Sequence, residues 1–369
     1  MTLLRSLLLM LVVIFANFAI AAEQPKMLEI GATAPDFKLP GVDDKTYTLK
    51  DFADANILVI IFTCNHCPTS QAYEDRIIKL HADFKDKGVA LVAINPNDPT
   101  GVRLDELGYT DLGDSFADMK VRAKDRNFKF PYLYDGETQS TARAYGVVAT
   151  PHVYIFDKER KLRYVGRIDD SEVKTVTSTD TRNAIEAMLA GKPVPVEKTK
   201  VFGCSTKWAT KFDDAKKAIA KWDTEPVALN GIDLEAVKKL IANDSKKLRL
   251  VNVWATWCGP CVIELPELVE MNRMYRKRDF EFITISMDDP AKKESALEKL
   301  KDLKVAATNY IYTGDNKDKF SDAVDAKWEG PIPHTLLIAP GGKIIYRHTG
   351  AVDPMELKKA IVAYLGRTY

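Results

Sequence analysis

Leu250-Val251-Asn252-Val253-Trp254-Ala255-Thr256-Trp257-Cys258-Gly259-Pro260-Cys261 joins an apolar run to a Cys-x-x-Cys motif. A short apolar run of this kind reads as a buried strand. The segment that follows, Leu265 to Arg276, sets Leu268, Val269, Met271 and Tyr275 at helical spacing. The two cysteines therefore sit where a strand hands over to a helix N-terminus. Unpaired backbone N–H groups and the helix dipole stabilise a thiolate there. That placement suits electron exchange better than static cross-linking. The arrangement occurs a second time, where Asn56-Ile57-Leu58-Val59-Ile60-Ile61-Phe62-Thr63 leads into Cys64-Asn65-His66-Cys67. The helical pattern after it runs from Gln71 to Lys85.

Aligning the two motifs shows that the chain is an internal repeat. Each helix pattern is followed by an apolar strand, Val89 to Ile94 and Phe280 to Ile285, and then by an Asp/Pro-rich turn. Later come Thr150-Pro151-His152 and Ile332-Pro333-His334, each followed by a hairpin and a last helix. The expected fold class is α/β, with two domains, each a mixed central sheet flanked by helices. The boundaries read as a leader at 1–22, a first domain at 23–192, a connector with a helix at 193–230, and a second domain at 231–369. Phe212, Ala215, Ile219 and Trp222 give the connector its helical spacing, and the helix is expected to pack on the first domain.

A chain of 369 residues suits two domains of ordinary size. Its 53 basic and 52 acidic residues nearly cancel, so nothing points to nucleic acid. Arg5, the apolar run from Ser6 to Ile20, and Ala19-Ile20-Ala21 read as a secretory signal cleaved near Ala21 or Ala22. The rival is an uncleaved membrane anchor, for which the run is short against the roughly 20 residues of a span. The expected location is the periplasm or cell envelope. Four of the five cysteines fall in the two close pairs. Loops that small constrain an unfolded chain little, so the pairs read as redox centres and not as structural staples.

The order of elements, with Trp-Cys-Gly-Pro-Cys and a late X-Pro step, resembles the thioredoxin superfamily over nearly all of the mature chain. The second half is similar to TlpA/ResA-like thiol-disulfide oxidoreductases, carried by the Val251–Cys261 stretch and Glu264-Leu265-Pro266. The first half, opening Gly31-Ala32-Thr33-Ala34-Pro35-Asp36-Phe37, resembles redoxins of the peroxiredoxin-like AhpC/TSA group. Asn65-His66-Cys67-Pro68 and Phe130-Pro131-Tyr132-Leu133-Tyr134-Asp135 resemble a peroxiredoxin-like subgroup within it. The resemblance implies cis bonds before Pro151 and Pro333. It also implies that Thr150-Pro151 and Ile332-Pro333 present backbone to an extended substrate.

The expected disulfides are Cys64–Cys67 and Cys258–Cys261, with Cys64 and Cys258 as the attacking thiols and Cys67 and Cys261 resolving. Glu264, one helical turn past Cys261, is the candidate to exchange a proton with it. Position 252, an acid in thioredoxins, is Asn here. His66, when protonated, favours a thiolate at Cys64. Cys204 reads as a buried free thiol, with a disulfide relay as its alternative. No cofactor and no resident metal are expected; a metal set of Cys64, His66 and Cys67, to which His152 could add a ligand, is incomplete on spacing alone. The function expected is an exported thiol-disulfide oxidoreductase. Its partners would be envelope proteins with thiols or disulfides and a redox partner that resets the pairs. One alternative is a thiol-dependent peroxidase in the first domain, although no proline precedes Cys64 where that chemistry wants one. Another is a soft-metal (copper) chaperone. Electron transfer between the two centres is expected only if their active faces can meet.

Overall fold

The computed structural model describes residues 25–369; the expected leader lies outside the described residues. The first sheet has five strands: β1 (Ile57–Phe62), β2 (Val89–Asn95), β3 (Tyr132–Tyr134), β4 (His152–Phe156) and β5 (Leu162–Gly166). Their spatial order is β3-β2-β1-β4-β5. The first three are parallel, and β4 and β5 run antiparallel to their neighbours. The second sheet adds β6 (Asn230–Ile232), β7 (Leu248–Trp254), β8 (Phe280–Ser286), β9 (Thr308–Tyr312), β10 (His334–Ala339) and β11 (Lys343–Thr349). Its order is β6-β9-β8-β7-β10-β11, with β10 and β11 antiparallel to their neighbours. Both sheets are mixed and flanked by helices, as the repeat predicts.

The central strands are apolar along their whole length because both faces are covered. In the first domain Ile57, Val59 and Ile61 meet Tyr73, Ile77 and Phe84 on one side. Leu58, Ile60 and Phe62 meet Tyr145, Tyr154 and Trp208 on the other. In the second, Leu248, Leu250 and Trp254 pack on Leu265, Leu268 and Tyr275, while Val251 and Val253 face Val237 and Phe320. The helices that matter to the sites are α1 (Pro68–Phe84), α2 (Phe116–Asp125), α3 (Phe212–Trp222), α4 (Gly259–Tyr275) and α5 (Pro354–Leu365). Among the described residues no helix is long and apolar enough to cross a membrane.

The connector is not a loose tether. Cys204–Ser205 pairs with Ala149–Thr150, and Trp208 lies in the first core. The expected helix forms as α3 and packs on the first domain as expected, and it also reaches the second. It touches the Pro99–Gly101 turn of the first domain, while Trp222 lies under Arg273 and Arg276 of the second. A second contact docks the loop around 103–112 of the first domain on the C-terminal ends of α4 and α5. Tyr275 Oη donates to Thr110 O at 2.9 Å, and Arg278 Nη1 to Gly108 O at 3.1 Å. Arg367 makes a two-pronged bond to the buried Asp111 carboxylate at 2.6 and 2.9 Å. Leu104 and Leu107 cap the second core.

The second Cys-x-x-Cys motif starts α4, whose far end is docked on the first domain. The helix spans about 25 Å. The faces carrying the two centres therefore do not meet, and the condition set for an internal relay is not satisfied in this arrangement.

Burial works against charge on Asp111, but the Arg367 guanidinium outweighs it and holds the carboxyl below its ordinary 3.8. This contribution to docking is complete above 3.8 and is lost as pH falls through the lowered value. Arg367→Ala should remove the acid-dependent part. It should loosen the docked loop by about 2 kcal/mol, roughly thirtyfold in its opening equilibrium. Hydrogen exchange of the 103–112 amides checks this; unchanged exchange in the variant would contradict it.

Candidate active sites

In the second domain β7 ends at Trp254, and Cys258 caps the N-terminus of α4. Pro260 fits there because its fixed φ is helical and the first turn needs no N–H from it. Cys258 and Cys261 form a disulfide with Cα atoms 5.3 Å apart, as expected. The Cys261 N–H points at Cys258 Sγ, 3.3 Å away. Cys258 is 6 % exposed and Cys261 not at all, so an incoming thiol reaches Cys258 first. Two apolar side chains of this segment are open to solvent, Trp257 just before Cys258 at 65 % and Ile263 on the first turns of α4 at 78 %. Val253 pairs with His334, which sets the cis Ile332-Pro333 step beside the end of β7.

Glu264 lies buried one turn below Cys261. Burial pushes its carboxyl above the ordinary 4.5, against two N–H donors, Val352 at 3.1 Å and Asn252 Nδ2 at 2.8 Å. Asn252 Oδ1 has no partner among the described residues. A raised carboxyl next to a resolving thiol is a proton acceptor for it.

The first domain departs from expectation. The disulfide is Cys67–Cys204, with Cα atoms 5.9 Å apart, and Cys64 is a buried free thiol. The expected Cys64–Cys67 pair is thus corrected, and so is the reading of Cys204 as a free thiol. The reason is the small antiparallel ladder in which Thr150 pairs with Cys204 and Ala149 with Ser205. Thr150-Pro151 is cis as expected. The edge it was expected to offer to a substrate is filled by the chain itself, which carries Cys204 to Cys67. Gly203 makes this approach possible: a Cβ there would lie 2.1 Å from Thr150 O, at a φ of +144°. Thr150 lies against both motif cysteines: Cys64 Sγ is 3.1 Å from its Oγ1, within hydrogen-bond reach, and the disulfide-bonded Cys67 Sγ is 3.6 Å from its carbonyl oxygen, a packing contact.

His66 is buried with Asp114, which the sequence reading missed. The carboxylate accepts His66 Nδ1–H at 2.5 Å, the N–H groups of Asn65 and His66 at 2.8 and 3.2 Å, and Asn97 Nδ2 at 2.7 Å. Burial opposes charge on the imidazole, but Asp114 and the Cys64 sulfur outweigh it and push His66 up to about 10. Both the carboxylate and the neighbouring sulfur favour the protonated ring. The donor atoms of Cys64, His66 and Asp114 lie within 4.8 Å of one another. Nδ1 and the carboxylate are spent on each other and on three further N–H groups. The His66–Asp114 pair is therefore satisfied by its own hydrogen bonds, with the Cys64 sulfur close by, and leaves no open coordination shell. His152 is not part of it; it bonds Tyr154 Oη at 3.3 Å, and burial pushes it down to about 3.

A cavity of about 340 Å³ borders this centre, lined by His66, Tyr109, Cys204, Lys207 and, from the second domain, Tyr369. Asp114 lies in the segment inserted between β2 and α2, at no fixed spacing from the motif. Only its place beside Ser115, the cap of α2, marks it in the sequence.

The model of the AhpC/TSA family matches residues 30–165, and the redoxin model matches 233–362. Thiol-disulfide oxidoreductase ResA of Geobacillus thermodenitrificans is 28% identical over 148 residues, 40% of this chain and 80% of that protein. A conserved protein of Geobacillus kaustophilus, known from a crystal structure, is 40% identical, covering 49% of this chain and 93% of its own, with a TM-score of 0.45. A crystal structure from Sinorhizobium meliloti is 34% identical, covering 50% and 97%, with a TM-score of 0.45. With two mixed sheets, two motifs at strand-to-helix junctions and two family matches in one order, the chain belongs to the thioredoxin superfamily, as an oxidoreductase with an AhpC/TSA domain and a redoxin domain in tandem.

Proposed function

We propose that the protein is an exported thiol-disulfide oxidoreductase that exchanges disulfides with protein substrates of the cell envelope through the Cys258/Cys261 centre, with the Cys64/Cys67 motif as a second redox site. One observation carries this reading: a disulfide at the head of α4 whose more exposed sulfur, Cys258, directly follows the exposed Trp257. Trp257 and Ile263 suit contact with a protein surface. Export is supported by the leader pattern at 1–22 and by the presence of disulfides.

In the reduced form the Cys258 thiolate attacks a substrate disulfide. One substrate sulfur stays on Cys258, and the other leaves as a thiolate. Cys261 then loses its proton to Glu264 and attacks Cys258 Sγ. The Cys258–Cys261 bond forms, and the remaining substrate sulfur is released reduced. The substrate gains two electrons and the centre loses two. Free Cys64 beside His66 favours the peroxidase reading of the first domain, but at 2 % exposure Cys64 lies closed to solvent.

Cys261→Ser should trap a mixed disulfide through Cys258 when the reduced chain meets an oxidised model protein, and mass mapping identifies the residue. Attachment elsewhere would contradict the assignment. N-terminal sequencing of the exported chain should begin near residue 22 or 23; an intact Met1 would contradict cleavage.

Glu264→Gln should slow the release of substrate by about 10²-fold while leaving the first attack unchanged. The pH limb above the ordinary glutamate value should disappear with it. A flipped Asn252 can accept from the new amide through Oδ1, so the fold is expected to survive. Stopped-flow thiol release checks both; an unchanged pH profile would make Glu264 a structural carboxylate.

A further inference from the structure

We propose that the first domain is a three-cysteine exchange centre whose substrate position is held by the chain's own Gly203–Ser205 segment, and that Cys64 opens it by attacking Cys67 and releasing Cys204. This rests on the reading of that motif as redox-active.

An exposed strand edge reads an extended chain by backbone pairing. Here that edge is Ala149–Thr150, and the paired chain is Cys204–Ser205. The cysteine it presents is joined to Cys67, so the bound segment has the form of a substrate caught as a mixed disulfide. Gly203 has no side chain where one would strike Thr150 O. The residues that follow are firmly held: Lys207 N–H donates to Asn97 Oδ1 at 2.8 Å, and Gln139 Nε2 to Lys207 O at 2.9 Å. Release therefore concerns only the short run before them. The cavity that Cys204 borders gives its sulfur a place to go.

The attacking group is in place. Cys64 is the free thiol, held on the Thr150 hydroxyl, and the Cys67 sulfur packs 3.6 Å from the same residue's carbonyl oxygen. The same spacing closes to a disulfide in the second domain. His66 and Asp114 form the hydrogen-bonded pair beside Cys64 and act as positioning residues. In the step, Cys64 as thiolate attacks Cys67 Sγ, the Cys67–Cys204 bond breaks, and Cys204 leaves as a thiolate. One disulfide is exchanged for another, so no outside oxidant or reductant is needed. The vacated edge then takes an extended, cysteine-bearing peptide in the register of 203–205. Its thiolate attacks Cys67 Sγ, and Cys64 departs as the thiolate beside His66. The substrate sulfur is thus carried by Cys67, the second cysteine of the motif, in contrast to the second domain, where the first cysteine carries it.

The oxidised full chain is incubated with iodoacetamide at neutral pH, digested without reduction and mapped by mass spectrometry. The expected result is carbamidomethyl on Cys204 together with a Cys64–Cys67 disulfide, increasing with time. Cys64→Ser should lower labelling of Cys204 at least tenfold and keep Cys67–Cys204 intact. Label confined to Cys64, or no label on either after a guanidinium-treated control is complete, would overturn the exchange. In a second arm, oxidised Cys204→Ser is given the peptide Phe-Gly-Cys-Ser-Thr. Attachment to Cys67 supports the proposal; attachment to Cys64, or none, overturns the substrate position. Disulfide reduction by the Cys258/Cys261 centre, measured in the same samples, separates failure of this inference from failure of the function proposed for the chain.

Discussion

The end of a strand buried on both faces, running straight into the first turn of a helix, is the constraint on which both domains depend. It puts a cysteine pair where free N–H groups and the helix dipole favour a thiolate. It also leaves no freedom to move the pair, because every residue of β1 is buried and β7 is nearly so. The antiparallel strand beside each then brings a cis X-Pro step to the same end of the sheet. The redox chemistry of this protein is therefore a property of sheet topology before it is a property of any side chain.

The two copies differ in what lies on that junction. In the second domain the edge at Ile332-Pro333 carries no paired segment among the described residues, and Trp257 and Ile263 of the motif segment are exposed. In the first domain the corresponding edge is filled by Cys204–Ser205, and Cys64, Cys67 and His66 are each at most 2 % exposed. The buried His66 ring is partnered by Asp114, 2.5 Å away and itself held by three further N–H groups, which offsets the cost of burying charge there. The second domain instead buries a carboxyl, Glu264, raised above its ordinary value by burial and held by the Asn252 amide and the Val352 N–H. One fold thus carries an ion-paired centre and a protonatable one.

Much of this was legible in the residues. The apolar runs before each motif, the helical spacing after them and the late X-Pro steps gave the strands, the helices and the repeat. Local signals of that kind determine local structure. The pairing of Cys67 with Cys204, 137 residues away, was not legible, because close spacing favours the nearer partner and nothing local records a ladder across the sheet edge. Gly203 was the available clue, since a glycine ahead of a cysteine permits close backbone approach. Asp114 was missed for a related reason: a lone acid in a long insertion has no period that ties it to His66. Arg367 and Tyr369 reach the first domain only through the docking of the two domains, which no spacing expresses.

The central claim is that one centre is open to other proteins and the other is closed by its own chain. The direct measurement is to add a substoichiometric, thioredoxin-sized dithiol reductant to the fully oxidised protein, quench in acid, alkylate and map which disulfide has opened. The account predicts that Cys258–Cys261 opens first, by at least tenfold over Cys67–Cys204. Equal opening of the two, or earlier opening of Cys67–Cys204, would contradict it.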